Sequence, residues 1–287
     1  MIELGETARV TKVTKENFIL HYQTPQIPVV IEQLSEAWPA RQKWDLDYIC
    51  SVIGENRVPL YGGGDRARGR RHQHAALTEM KLQDFVASLR SGENKLRMFF
   101  YNILSYAPKL ADDFSFPDIG LKLFTKLPVL FFGGKGAKVQ MHFDIDLADI
   151  LLCHFGGKKR VYLFPPEQAK YLYHVPFSFS SLFDIDVQLP DYEKFPALKY
   201  LKGTVAELEH GDVLYIPSGY WHYIVYEDIG FSMALRAFPR RPREILQLVN
   251  NILVIRTIDG LMRKIVGQPW NERNERKAFS NTHKNLD

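Results

Sequence analysis

The hexapeptide V-Q-M-H-F-D, residues 139 to 144, sets the tightest condition on any fold this chain can adopt. In an extended strand, side chains at i and i+2 share one face, so His142 and Asp144 project into the same space while Phe143 points away. An imidazole and a carboxylate arranged in this way can share a metal ion, but a third ligand is needed to hold it. The stretch G-D-V-L-Y-I-P-S-G-Y-W-H, residues 211 to 222, offers one. There Gly211-Asp212 reads as a turn, Val213 to Ile216 as a strand, Pro217-Ser218-Gly219 as a second turn, and Tyr220 to Val225 as a returning strand that carries His222. The fold must then bring together two strands nearly eighty positions apart.

Two histidines and one carboxylate on one side of a divalent ion leave its other positions open, the ligand set of non-haem Fe(II) oxygenases. Zinc more often takes a set closed with sulfur or built on three histidines. Fe(II) is therefore the expected ion. The competing reading is structural: an H-x-D triplet arises readily by chance, and a lone histidine on an apolar strand is more often a packed core residue than a ligand. The order of the flanking segments decides between the two.

After H-x-D come a strand, Gly156-Gly157, K-K-R-V-Y-L-F-P-P (158 to 166), G-D-V-L-Y-I-P and then W-H. Upstream stand P-V-V-I-E, W-P-A and K-W-D-L-D-Y. This ordered run, over most of the chain, resembles the JmjC-type, cupin-like 2-oxoglutarate oxygenases. The likeness is greatest to the branch that contains the asparaginyl hydroxylase inhibiting hypoxia-inducible factor and the tRNA wybutosine hydroxylase. It implies a mainly β fold, a double-stranded β-helix (cupin-like jelly roll) with flanking helices over residues 1–239, and a C-terminal helical segment, 240–287, through which the chain forms a homodimer. It also implies Fe(II) held by His142, Asp144 and His222, 2-oxoglutarate and O2 as cosubstrates, and no catalytic side chain beyond the ligands. Lys159 falls where the family's lysine grips the far carboxylate of 2-oxoglutarate, with Lys158 on the opposite strand face as the fallback.

Several positions depart from the asparaginyl hydroxylase. Val139 replaces a threonine, and Phe99 stands in place of a tyrosine; Tyr101, expected on the same strand face, either substitutes for it in the pocket or fills the core. Arg236 replaces an asparagine and either binds a carboxylate of 2-oxoglutarate or pairs with Asp149 or another acid. These changes bear on the cosubstrate more than on the metal. The expected activity is hydroxylation of a macromolecule, a protein side chain before a tRNA base. The alternatives are a metal-binding cupin module that works through interactions without turnover, and a cupin dioxygenase that binds substrate directly to iron.

Composition agrees with a soluble globular chain: 24% charged and 46% hydrophobic over 287 residues, enough for one sizeable β domain. The N-terminus lacks the apolar run of a secretory signal, which places the protein in the cytoplasm. Cys50 and Cys153 read as reduced thiols. The net charge of +4 is mild. Arg66, Arg68, Arg70 and Arg71, with His72 and His74, form the one dense basic segment; a solvated loop is favoured over a phosphate or acidic-protein contact.

Along the chain, Asp45 to Ile53 reads as a short helix, and Thr78 as the cap of a helix with Leu82, Phe85, Val86 and Leu89 on one face. A further short helix is expected at Ile119 to Phe124, and a hairpin turn at Gly133 to Gly136. The turn-rich segment 174–203 is expected to rim the substrate entrance. His154, at the parity of Ile150 and Leu152, either faces the pocket and assists binding or, the favoured reading, is a satisfied core histidine, and Trp221 reads as core. Beyond Pro242, Ile245, Leu248, Val249, Ile252 and Ile255 mark an apolar helical stripe. Glu244, Asn250, Asn251, Arg256 and Asp259 argue against a membrane span. The tail from Trp270 reads as charged and solvated.

Overall fold

The computed structural model describes residues 1–62, 76–92 and 96–286. The arginine-rich segment 66–74 lies outside the described residues. Among the described residues the strands are, in chain order, β1 (Glu3–Glu6), β2 (Ala8–Val10), β3 (Val29–Ile31), β4 (Arg57–Leu60), β5 (Thr78–Lys81), β6 (Arg97–Asn102), β7 (Val129–Gly133), β8 (Lys138–His142), β9 (Asp149–Phe155), β10 (Lys159–Phe164), β11 (Lys202–Leu208), β12 (Val213–Ile216), β13 (Trp221–Tyr226) and β14 (Gly230–Ala237). Two large mixed sheets result, ordered β1-β11-β10-β13-β8 and β2-β3-β12-β9-β14-β7-β6, beside a small β4-β5 pair.

From β7 onward the chain changes sheet at nearly every connection: β7, β9, β12 and β14 belong to the larger sheet, and β8, β10, β11 and β13 to the smaller. The turns at Gly133–Gly136 and Pro217–Gly219 are therefore corners between sheets, not hairpins. Burial on both faces explains this. Along β9, Ile150 and Leu152 point into a core enclosed by the two sheets with Val161, Leu163, Leu214 and Ala234. Leu151 and Cys153 point the other way, into a second core under the N-terminal helices. Such strands carry apolar side chains at both parities and need cover on each side.

The helices follow local signals where those signals are strong. Asp45 caps the helix Leu46–Ile53, its Oδ1 accepting from Tyr48 N at 2.7 Å, as expected of an N-cap aspartate. The helix Leu82–Arg90 buries Leu82, Phe85, Val86 and Leu89, but Thr78 does not cap it; that residue opens β5 and Lys81 takes the cap position. The segment 119–124 is irregular rather than helical. Gly120 there holds φ +99° with Ile19 packed against it, and Phe124 N donates to Arg236 O, so tertiary contacts override the local preference.

One continuous helix runs Pro242–Ile265, and a second follows at Gln268–His283. The tail expected to be solvated thus docks, with Trp270, Asn274, Ala278 and Thr282 buried at four-residue spacing, one helical stripe. Pro242–Ile265 is long and apolar enough, by length and composition, to cross a membrane. It is also tied to the turn between β8 and β9, because the buried Asn251 donates to Ile145 O at 3.1 Å. Much of its apolar face is uncovered, with Leu246 70%, Leu253 64% and Ile265 71% exposed. Both cysteines are free, and burial pushes the Cys153 thiol up, out of the reactive range.

Candidate metal centre

His142 ends β8 and His222 is the second residue of β13, and the two are direct cross-strand partners. Their rings lie 4.1 Å apart. Asp144 follows just past β8, with Oδ1 3.8 Å from His142 Nε2. One ligand atom from each of the three falls within 4.8 Å of the others. The pairing of β8 with β13 shifts register between His222 and Ile224, opposite His142 and Val139. This bulge beside the ligands re-aims side chains at the end of the strand.

The donor set fits a divalent ion. His142 Nδ1 lies 2.7 Å from Gln140 O and His222 Nδ1 3.1 Å from Tyr220 O. A backbone carbonyl only accepts, so each Nδ1 carries the proton and each Nε2 presents a lone pair. Burial pushes the His222 pKa down, which favours the neutral form a metal requires. For Asp144, burial alone would raise the pKa, but Arg236, then His222 and His142, outweigh it and hold the carboxyl well below its ordinary range.

Arg236, 4% exposed, is the dominant partner of this carboxylate. Its Nη2 donates to Asp144 Oδ2 at 2.8 Å and to Asp146 Oδ1 at 2.6 Å, while Nε donates to Asp146 Oδ2 at 3.0 Å. Of the two outcomes expected for Arg236, the acid pairing is the one present here, with Asp144 and Asp146 in place of Asp149. Asp149 instead accepts from Tyr215 Oη and Ser218 N. With Oδ2 engaged, Asp144 offers Oδ1 towards the imidazoles. The sequence reading missed Asp146, although H-F-D-I-D places it two residues beyond Asp144, the spacing that paired His142 with Asp144.

At the other end of the same interior lies Lys159, 2% exposed. It starts β10, four residues before Leu163, which pairs with His222, so about 13 Å of strand separates it from the triad. Its Nζ donates to Ser232 Oγ at 2.5 Å and sits 4.3 Å from the centre of the Tyr226 ring. His154 Nδ1 contacts the same hydroxyl at 3.0 Å, and His154 Nε2 is buried with no hydrogen-bond partner among the described residues. No carboxylate pairs with Lys159 among the described residues, and burial pushes its pKa down to about 7. Val161, Leu163, Leu152 and Ala234 belong to the apolar core enclosed by the two sheets. Lys158, by contrast, is exposed and paired with Glu209 at 3.0 Å.

Tyr101 does not reach this interior. It packs in the core beneath the N-terminal helices, its hydroxyl accepting from Asn56 Nδ2 at 2.9 Å. The cause is a register shift in β6 between Met98 and Tyr101, where Phe100 takes φ +58°. That break in alternation sends Phe100, not Tyr101, towards Phe131 and the Arg236 guanidinium. Trp221, as expected, faces away from the metal ligands, against Phe143 and His174.

With this geometry in view, the comparisons with known proteins are direct. The family described as a cupin-like domain matches residues 15–241. Lysine-specific demethylase 8 of Xenopus tropicalis is 28% identical over 226 residues, 76% of this chain and 50% of that protein. tRNA wybutosine-synthesizing protein 5 of Gallus gallus is 28% identical over 239 residues, 77% of this chain and 73% of that protein. Jumonji C domain-containing protein 5 of Drosophila melanogaster is 28% identical over 220 residues, 72% of this chain and 53% of that protein. The chain thus spans about half the length of the first and third of these relatives. The match over most of its length, with a His-Asp-His group set between two mixed sheets, places the chain in the cupin-like JmjC family.

Proposed function

We propose that the chain is an Fe(II)- and 2-oxoglutarate-dependent hydroxylase of a macromolecular substrate, a protein side chain before a tRNA base. The observation that carries the reading is Lys159, a buried amine with no counter-ion among the described residues, about 13 Å along the sheet from a three-ligand metal group. Burying an unpaired charge costs several kcal/mol, and a dicarboxylate whose other end lies at the metal would supply the missing partner. Fe(II), when bound with 2-oxoglutarate and O2, supplies the oxidising chemistry. The chain's residues do the rest: His142 and His222 present Nε2, Asp144 presents one oxygen, and Arg236 with Asp146 keeps that carboxylate ionised and oriented. The apolar side chains between Lys159 and the triad exclude water.

The names of the relatives point to lysine demethylation and to wybutosine synthesis on tRNA. Both are modifications of macromolecules, which supports the substrate class. The uncovered apolar face of Pro242–Ile265 supports a homodimer, since a contiguous apolar patch of this kind marks an association surface. Purified protein supplied with Fe(II), 2-oxoglutarate and ascorbate should form succinate slowly without a prime substrate, and Lys159→Met should lose that turnover. A second reading, a metal-binding cupin module without turnover, is favoured by the engagement of Arg236 with two acids. Tight metal binding with no succinate would select it.

A further inference from the structure

A cavity of about 390 Å³ lies between the loop 175–195 and the C-terminal helices. One thickness of chain separates it from the metal ligands. Ser180 bridges to His142 on the outer edge of β8, and Ser181 N donates to Met141 O at 3.0 Å; both serines also line the cavity. Two buried polar atoms of lining residues, Ser181 Oγ and Asn274 Oδ1, have no hydrogen-bond partner among the described residues. These residues are 1% and 2% exposed. An unsatisfied buried polar atom costs about 1–3 kcal/mol, so this pair points to a ligand that completes the wall.

The charge of the wall says which kind. Lys194 is paired with Asp184 and Arg263 with Asp259, each at 2.6 Å. Glu275 has no ion-pair partner among the described residues, and its carboxyl is pushed up by burial and then by Asp184 and Glu272. Asn271 commits its amide N–H to Gln268 Oε1 at 3.4 Å, which leaves its oxygen to accept. Phe195 and Phe279 stack in the same wall with ring centres 5.5 Å apart. The side-chain oxygens of Asn271 and Asn274, with the Glu275 carboxylate, suit a group that only donates and carries positive charge.

We propose that this cavity is a subsite for a cationic side chain, arginine or lysine, of a polypeptide substrate that extends past the metal centre. The proposal rests on the macromolecular-substrate reading above. Its test uses the isotope-labelled full chain, titrated with N-acetyl-arginine amide and with the uncharged N-acetyl-citrulline amide. The arginine compound should shift the amide resonances of Ser181, Asn271 and Asn274 saturably, and the citrulline compound should not. Glu275→Gln, a change on an exposed helix face, should weaken the arginine compound about three- to fivefold while Mn(II) affinity at the triad stays unchanged. Equal binding of the two compounds, an unaltered affinity in Glu275→Gln, or no shift at these amides overturns the proposal. Absence of 2-oxoglutarate turnover would count against the hydroxylase reading alone, because the subsite titration needs no turnover.

Discussion

Lys159→Met tests the buried cation at its root. The substitution keeps the apolar stem and removes the charge. Burial lowers the Lys159 pKa from 10.5 to about 7 in the folded chain, a penalty of about 5 kcal/mol on the protonated form. The unfolded chain holds this proton up to its ordinary pKa, whereas the folded chain releases it near 7. Between those values the unfolded state binds more protons, so wild-type stability rises with pH and is lost as pH falls through about 7. Lys159→Met lacks this dependence. Urea unfolding of the metal-free proteins should therefore find the variant more stable by about 3–5 kcal/mol near pH 6, with the gap closing towards pH 10. 2-Oxoglutarate, or the inert analogue N-oxalylglycine with Mn(II), should restore wild-type stability and leave the variant unmoved. The affinity of the wild type for the analogue should fall as pH rises well above 7, because the neutral amine cannot pair with a carboxylate. A stability difference between the two proteins that does not change with pH would refute the argument, as would a ligand-induced stabilisation of equal size in both.

Arg236→Gln should weaken Co(II) binding, followed by its visible absorption, about 10- to 100-fold, and Arg236→Lys should not restore it, since one ammonium cannot replace a fork that spans Asp144 and Asp146; unchanged affinity would contradict the orienting role. His222→Ala should abolish Co(II) binding at the triad in the same assay. Gly133→Ala would set a Cβ 2.7 Å from the Tyr226 ring, and should cost about 1–3 kcal/mol in urea unfolding and raise the KM for 2-oxoglutarate by displacing the ring that covers Lys159. Leu253→Glu, on the exposed helix face, should halve the mass measured by light scattering if that face joins two copies, because an unpaired charge in an apolar interface costs several kcal/mol.

Much of the site was legible from residue spacing and from the family resemblance. Period-two alternation placed His142 with Asp144 and placed Trp221 away from the ligands, and helical periodicity marked Leu82, Phe85, Val86 and Leu89 as one buried face. The failures fall where alternation breaks or where a distant contact overrides a local preference. Parity with Phe99 leaves Tyr101 either in the pocket or in the core, and the bulge at Phe100 decides for the core. Nothing local in R-M-F-F-Y-N marks that bulge.

The sequence by itself determined that His142 and Asp144 share one strand face, because the pleat is a property of each strand alone, and the ordered run of motifs through the family resemblance added His222 as the third ligand. Tertiary structure decided that turns at Gly133 and Pro217 are corners between sheets, that Arg236 pairs with Asp144 and Asp146, that Lys159 lacks a counter-ion, and that the charged tail folds back as a helix. Each of these depends on what a side chain meets across the core, and the free energy of a buried charge or a covered face is set by neighbours far away in the chain.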